Sequence, residues 1–385
     1  MSFFSIHHKS KIAGSRARTG TIQTAHGQIQ TPAFVNVGTK GTVKALTPSQ
    51  AKEIGTQVSF VNTYHLVVHP GSEIIKAHSS IHNFAKMDWS IFSDSGGFQV
   101  FSLANRARRS KLRDGEEAIL AKLTDDYVVF RSLYDGSTIE FSPEFSIQSQ
   151  INIGADLIVA FDECTYYPAS HEYASQALHR TNSWLGRSCQ YLKAHARIDY
   201  PQYLYGVIQG GTFEDLRVES ARFISNQDVA GVAIGGVSVG ESKAELRDQV
   251  RWISPYLPDD KPVHLLGVGQ LDDIIDLVRY GIDTFDCVEP TRLARIGVLL
   301  DIANIDEDIA KWSIRRFDIT ESIYKTDSRL ILSYSQYVSQ FSYSYLHHLF
   351  KQKELLGYTL ATMHNLALME KLMSRIREQI ETGQV

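Results

Sequence analysis

Cysteine is scarce in this chain: three residues, Cys164, Cys189 and Cys287, among 385. Their wide spacing makes no Cys-x-x-Cys metal pair and no disulfide framework, which fits a reducing, cytoplasmic setting. Long hydrophobic runs are missing too. No apolar stretch approaches the ~18 residues of a membrane span, and Met1 to Arg18 carries scattered polar residues rather than the apolar segment of a signal peptide. A strong charge of either sign is also absent. Lys and Arg number 39 against 43 Asp and Glu, a formal net charge of −4. That balance argues against a protein coated by nucleic acid, but it leaves room for a local basic track.

What is present is the composition of an ordinary soluble globular protein, 43% hydrophobic and 21% charged. The length suits one large domain or two modest ones. One basic track stands out, Arg106 to Arg113, with five cations in eight residues. It reads either as a solvated loop or as a phosphate contact.

The organising stretch is Phe285-Asp-Cys-Val-Glu-Pro-Thr-Arg292. An apolar lead-in stops on a carboxylate, turns at a proline and runs into arginines. A buried strand ending on an acid suggests the mouth of an active site, and Arg292 and Arg295 lie where a phosphate is held. Upstream, Gly20 to Thr31 alternates around His26-Gly27 as a hairpin does. Eight apolar runs follow: Pro32 to Val37, Val58 to Asn62, Ser90 to Ser93, Leu157 to Phe161, Tyr203 to Ile208, Gly231 to Ile234, Val263 to Leu266 and Thr284 to Phe285. Helix-compatible stretches separate several of them, among them Ser142 to Ile153, His171 to Ala194 and Glu241 to Tyr256. Strands alternating with helices predict an α/β fold, a (β/α)8 TIM barrel. An open doubly wound sheet fits less well, because the polar tails follow nearly every run instead of one switch point.

The predicted organisation is a catalytic barrel over 1–297, interrupted by a mouth insertion at about 102–141, and a C-terminal α subdomain over 298–385. The insertion holds the basic track and a hairpin around Asp135-Gly136. The C-terminal part reads as helices over Tyr343 to Phe350 and Thr359 to Ile380, broken at Gly357.

A barrel gathers its strand ends on one face, so Asp94 and Asp286 are placed to flank one substrate. Two facing acids suit a glycosidic bond cleaved with retention: one attacks the anomeric carbon, the other moves protons. Asp162 and Gln209 suit the polar edge of a purine, since a carboxylate accepts paired N–H groups and an amide donates and accepts. Gly235 and Gly236 admit a flat ring close to the backbone, with Phe98 and Leu266 as its two covers. Gly267 to Asp273 opens a helix whose first N–H groups make a phosphate seat.

Together these residues resemble the tRNA-guanine transglycosylase family. The matching motifs are Ser15-Arg-Ala-Arg-Thr-Gly20, Asn62-Thr-Tyr-His-Leu66, Asp94-Ser-Gly-Gly-Phe-Gln99, Phe161-Asp-Glu-Cys164, Gly206-Val-Ile-Gln-Gly-Gly211, Ile234-Gly-Gly236, Gly267-Val-Gly269, Phe285-Asp-Cys-Val288 with Pro290-Thr-Arg292, and Tyr345-Leu-His-His-Leu349. They run in family order over nearly the whole chain. The resemblance implies a barrel enzyme that exchanges guanine in a tRNA anticodon for a 7-deazaguanine base, as a homodimer and without a cofactor. It implies Asp286 as the nucleophile toward the wobble ribose and Asp94 as the general acid/base. It implies Ser95, Asp162, Gln209, Gly235, Gly236 and Val237 as base-binding groups, with Phe98 and Leu266 as the sandwich. Gly267, Val268, Gly269, Gln270, Leu271, Asp272 and Asp273 are the implied RNA contacts on one loop, and Thr291, Arg292, Leu293, Ala294 and Arg295 on the other. Cys164, Val239 and Glu241 resemble the bacterial form, which takes the aminomethyl precursor base; queuine is the alternative.

The chain departs from the family at its structural zinc. Ser333, Ser335, Val338 and His364 stand where the family has three cysteines and a histidine. Serine is a poor zinc ligand and valine is none, so no metal is expected, and packing by Tyr334, Tyr337 and Phe341 is expected instead. Leu293 and Ile296 replace two usual asparagines, and Glu289 replaces a methionine, adding a negative charge beside the arginines. Those changes keep two other readings in view: a non-catalytic tRNA-binding or partner subunit, and a sugar-cleaving barrel on other substrates.

Overall fold

The computed structural model describes residues 2–98, 119–131 and 136–385. Eight parallel strands close into a barrel in chain order: Ala33–Val37, Val58–Val61, Ser90–Ser93, Leu157–Val159, Tyr203–Ile208, Gly231–Ile234, Val263–Leu265 and Thr284–Cys287. The eighth strand pairs back onto the first, Phe285 opposite Phe34 and Asp286 opposite Val35. This is the predicted (β/α)8 barrel, and each observed strand lies on its predicted run with its ends within two residues.

Short polar caps start the helices between strands. Thr47 and Ser242 each form a capping box, with Gln50 and Glu245, while Ser142 and Ser170 accept from the N–H groups of Phe145 and Tyr173. The barrel interior is apolar and continues downward. Phe60, Phe92, Val159, Tyr205 and Val207 pack into one cluster with Phe4, Ile22 and Ile29. Those last three belong to an antiparallel sheet of Phe4–Lys9, Arg18–Thr24 and Gly27–Thr31, which contains the predicted hairpin and plugs the barrel floor. Gly20 is required there, because a Cβ would meet the Ser5 carbonyl oxygen at 2.6 Å.

Two ionic clamps lock that floor. Arg18 binds Asp283 through two contacts of 2.9 and 2.6 Å, both side chains buried. Asp283 in turn accepts from the Val263 N–H. Asp156 accepts from His26 at 2.7 Å and from the Ile91 N–H, and lies 3.1 Å from His82 Nε2. Two imidazoles around one carboxylate hold Asp156 down at about 2, against the burial that opposes its charge.

The described part of the segment predicted as a mouth insertion holds a three-stranded antiparallel sheet, Ile119–Leu123, Val128–Arg131 and Thr138–Phe141. Its last two strands pair antiparallel, while Asp135, in the hairpin turn expected between them, lies outside the described residues. The basic track Arg106 to Arg113 lies outside the described residues.

The C-terminal part is not purely helical. Val298–Ala303 and Ser313–Asp318 form a two-stranded sheet ahead of the helices Tyr343–Gln352 and Leu355–Glu381. The expected break at Gly357 is corrected. The chain turns at Lys353, which has φ 59°, and Gly357 lies inside the second helix. A Cβ at Gly357 would stand 3.1 Å from Leu349 Cβ, so this glycine permits close helix packing instead of ending a helix. The long helix packs on the first barrel strand and on the N-terminal sheet, and Arg377 Nη1 donates to the Gln30 and Pro32 carbonyls. No described helix is long and apolar enough to cross a membrane.

Candidate active site

The C-terminal ends of the strands converge on one mouth, as the alternation of strands and polar tails implied. Asp94 follows the third strand and Asp286 lies in the eighth. Asp94 is fixed by its neighbours: Thr63 N–H donates to Oδ1 at 2.7 Å, Gly96 N–H donates to Oδ1 at 3.2 Å, and Asn62 Nδ2 donates to Oδ2. Burial of its carboxyl group pushes Asp94 up to about 7. The two backbone donors pull the other way, and the charges of Asp162 and Asp286 add to the rise. Asp94 therefore stands near enough to both other acids to feel their charges. Asp286 is buried and accepts from Gly267 N–H at 2.8 Å. Cys287 and Cys164 are both pushed up to about 12 by burial, so neither thiol competes as a thiolate.

Beside the acids lies a buried polar shelf. Asp162 accepts from Ser95 Oγ at 2.9 Å and from Gln209 Nε2 at 2.7 Å. Burial raises its pKa against those two donors. Gln209 Oε1 is buried without a protein partner. Gly235 and Gly236 border that amide so closely that a Cβ would stand 2.8 Å from its nitrogen and 2.3 Å from its oxygen. Arg217, fully buried, holds this loop from below through the Gly211, Gly235 and Gly236 carbonyls at 2.6–2.7 Å, and through Gln249 Oε1. Burial without a bound carboxylate brings its pKa down to about 10. Val237 is buried behind the loop; Phe98 stands 47% exposed, and Leu266 is half-buried.

The two implied RNA loops divide by exposure. On the first, Gly267 is exposed and Gln270 and Asp272 are part-exposed, while Val268, Gly269, Leu271 and Asp273 are buried. Asp272 and Asp273 pair with Lys243 and Arg247. On the second, Arg292 faces solvent, Arg295 and Leu293 are partly covered, and Thr291 and Ala294 are buried. The side chains of the buried members therefore brace the loops from inside. Lys40 and Lys44 were missed by sequence reasoning. Lys44 is lowered by burial and by the charges of Arg295, Lys40 and Arg292, and His65 by burial and by Lys40 and Lys44. Five basic groups thus gather at the mouth. The negative charge expected to disturb them is spent elsewhere, because Glu289 lies 3.0 Å from Arg316 of the C-terminal sheet.

Comparison with known proteins agrees with this architecture. The family model described as queuine tRNA-ribosyltransferase matches residues 13–385. The chain belongs to that family. It is 40% identical over 383 residues to the queuine tRNA-ribosyltransferase of Roseiflexus sp. (strain RS-1), covering 96% of this chain and 94% of the relative. It is 42% identical over 370 residues to that of Caldanaerobacter subterraneus subsp. tengcongensis, covering 96% and 92%. It is 41% identical over 384 residues to that of Protochlamydia amoebophila, covering 98% and 95%.

The residues at the family's zinc position do not fit a metal ion. Ser335 Oγ is engaged with both Glu53 oxygens at 3.2 Å and accepts from the Val338 N–H. Ser333 Oγ accepts from the Ser335 N–H, and Val338 is fully buried. His364 Nε2 bonds to the Leu300 carbonyl at 2.9 Å, and burial lowers its pKa. Around them the Ser335 hydroxyl meets the Glu53 carboxylate, and Phe341 stands in ring contact with Tyr337 and Tyr345.

Proposed function

We propose that this protein exchanges guanine at the wobble position of a tRNA anticodon for a 7-deazaguanine base, through a covalent aspartyl-ribose intermediate in queuosine formation. The observation that carries the reading is Asp94, held near 7 by burial and by its acidic neighbours, at one mouth with Asp286. Asp286 attacks C1′ of the ribose, and the C1′–N9 bond breaks. The bond's electron pair leaves with guanine, which takes a proton from Asp94. The incoming base returns that proton to Asp94 as its N9 attacks C1′ and the aspartyl ester bond breaks. An acid with a pKa near neutrality serves both halves.

Asp162, Ser95, Gln209, Gly235, Gly236 and Val237 form the base seat in this reading, with Phe98 and Leu266 over its faces. The orphaned Gln209 Oε1 is an acceptor that a ring N–H would satisfy. The exposed parts of Gly267–Asp273 and Thr291–Arg295, with Lys40 and Lys44, hold the anticodon phosphates. The aminomethyl precursor is the proposed base. Glu241 accepts from the Ser238 and Val239 N–H groups and so ties down the loop that follows the seat. We propose a cytoplasmic homodimer, with exposed Leu330, Leu332, Tyr334 and Tyr337 as its apolar contact face.

The test is incubation with tRNA and radiolabelled guanine, guanine itself being an exchangeable base. Label should enter at the wobble position and be lost with Asp286→Ala. Binding of tRNA without incorporation would favour the non-catalytic subunit instead.

A further inference from the structure

His264 has no part in the mechanism so far, yet it lies against Asp286. The seventh strand turns it into the barrel, where it is fully buried. Thr284 stands opposite it in register on the eighth strand, and Asp286 lies two residues beyond Thr284 on the same face. Phe60 stacks on the imidazole with ring centroids 5.6 Å apart and planes at 13°, and Phe92 leans on it at 4.7 Å. A ring enclosed in this way has little freedom to turn.

Its two nitrogens face different partners. Nδ1 is 2.9 Å from Thr284 Oγ1. Nε2 is 3.2 Å from Asp286 Oδ1, but off the line of a hydrogen bond, and it is buried without another partner. A buried ring nitrogen in that position demands an explanation. With the proton on Nδ1, the Nε2 lone pair would face a carboxylate oxygen. With the proton on Nε2, Thr284 donates to Nδ1 and Nε2–H faces Asp286, so a small rotation of the Asp286 carboxylate satisfies every atom. Oδ1 also receives the Gly267 N–H at 2.8 Å, so both contacts fall on one oxygen.

We infer that His264 is a positioning residue for the nucleophile: Nε2–H and the Gly267 N–H hold Oδ1 so that Oδ2 meets the ribose. The inference rests on the reading of Asp286 given above. When Oδ2 bonds to C1′, Oδ1 becomes the ester carbonyl and keeps both donors. No proton leaves His264 in this role.

The test compares wild type with His264→Phe, His264→Gln and Thr284→Val in single-turnover guanine release from tRNA, with KM measured alongside. Loss of one hydrogen bond to a charged group predicts a rate about 10- to 100-fold lower for His264→Phe at unchanged KM. His264→Gln, which returns a donor near the Nε2 position, should recover most of that loss, and Thr284→Val should fall between. Nitrogen-15 NMR of the wild-type imidazole should show Nε2 protonated, a readout that stands even if the Phe variant does not fold. A His264→Phe rate equal to wild type, equal losses in the Phe and Gln variants, or an Nδ1-protonated ring would overturn the role. Wild-type protein that releases no guanine would remove the reading of Asp286 and this role together.

Discussion

Asp94 shows how one side chain is tuned by its surroundings. Its folded pKa of about 7 lies above the ordinary carboxylate value of 3.8, so burial disfavours its charged form. The native state therefore binds more protons than the unfolded chain between those two values, and this group's contribution to stability falls as pH rises through that window. Asp94→Asn should abolish exchange. It should also make the protein more stable than wild type at pH 8, with the difference vanishing by about pH 4 in thermal melts. The gain has a ceiling of about 4 kcal/mol, reduced by the water that reaches this part-exposed group. A pH-independent difference would mean that Asp94 is not the strained group. The placement of Asp94, Asp162, Gln209 and Asp286 at the strand ends was legible in the sequence, because each ends or follows an apolar run and precedes a glycine or a turn. Asn62, Lys40, Lys44 and His264 were not, because their meaning lies in a partner that only the closed barrel brings near.

Among elements, the glycine loop after the sixth strand depends on a helix that carries no motif. Arg217 donates to three carbonyls of two loops, and nothing in its spacing announces that role. Arg217→Met should leave those carbonyls buried and unpaired and cost on the order of 3 kcal/mol, read by denaturant unfolding. KM for the incoming base should rise as Gly235 and Gly236 shift; an unchanged KM would separate the loop from base binding. Strands were placed well because fully buried strands read as short apolar runs. The helix break was misplaced at Gly357 because glycine serves close packing as well as termination. The pairing of Val298–Ala303 with Ser313–Asp318 escaped notice, since the second segment, Ser-Ile-Arg-Arg-Phe-Asp, is too polar to mark itself as the partner of the apolar first.

On the scale of the whole molecule, the barrel is closed below by the N-terminal sheet and at the side by the long C-terminal helix. The C-terminal part is held to the barrel by ordinary hydrogen bonds, among them Ser335 to Glu53 and Asn365 to the Pro290 carbonyl. Exhaustive chelation should leave the melting temperature and the exchange rate unchanged, and stoichiometric zinc in the purified protein would contradict this account of the subdomain. The loss of the cysteines was plain in the sequence, but the substitute contacts were not, because Glu53 lies far away in the chain. The central claim is that two acids share one ribose, and the most direct test is mass spectrometry of protein trapped with tRNA under denaturing conditions. A ribose-linked adduct on the peptide carrying Asp286, absent in Asp286→Ala, is the predicted result. An adduct on any other residue, or guanine exchange with no adduct at all, would contradict it.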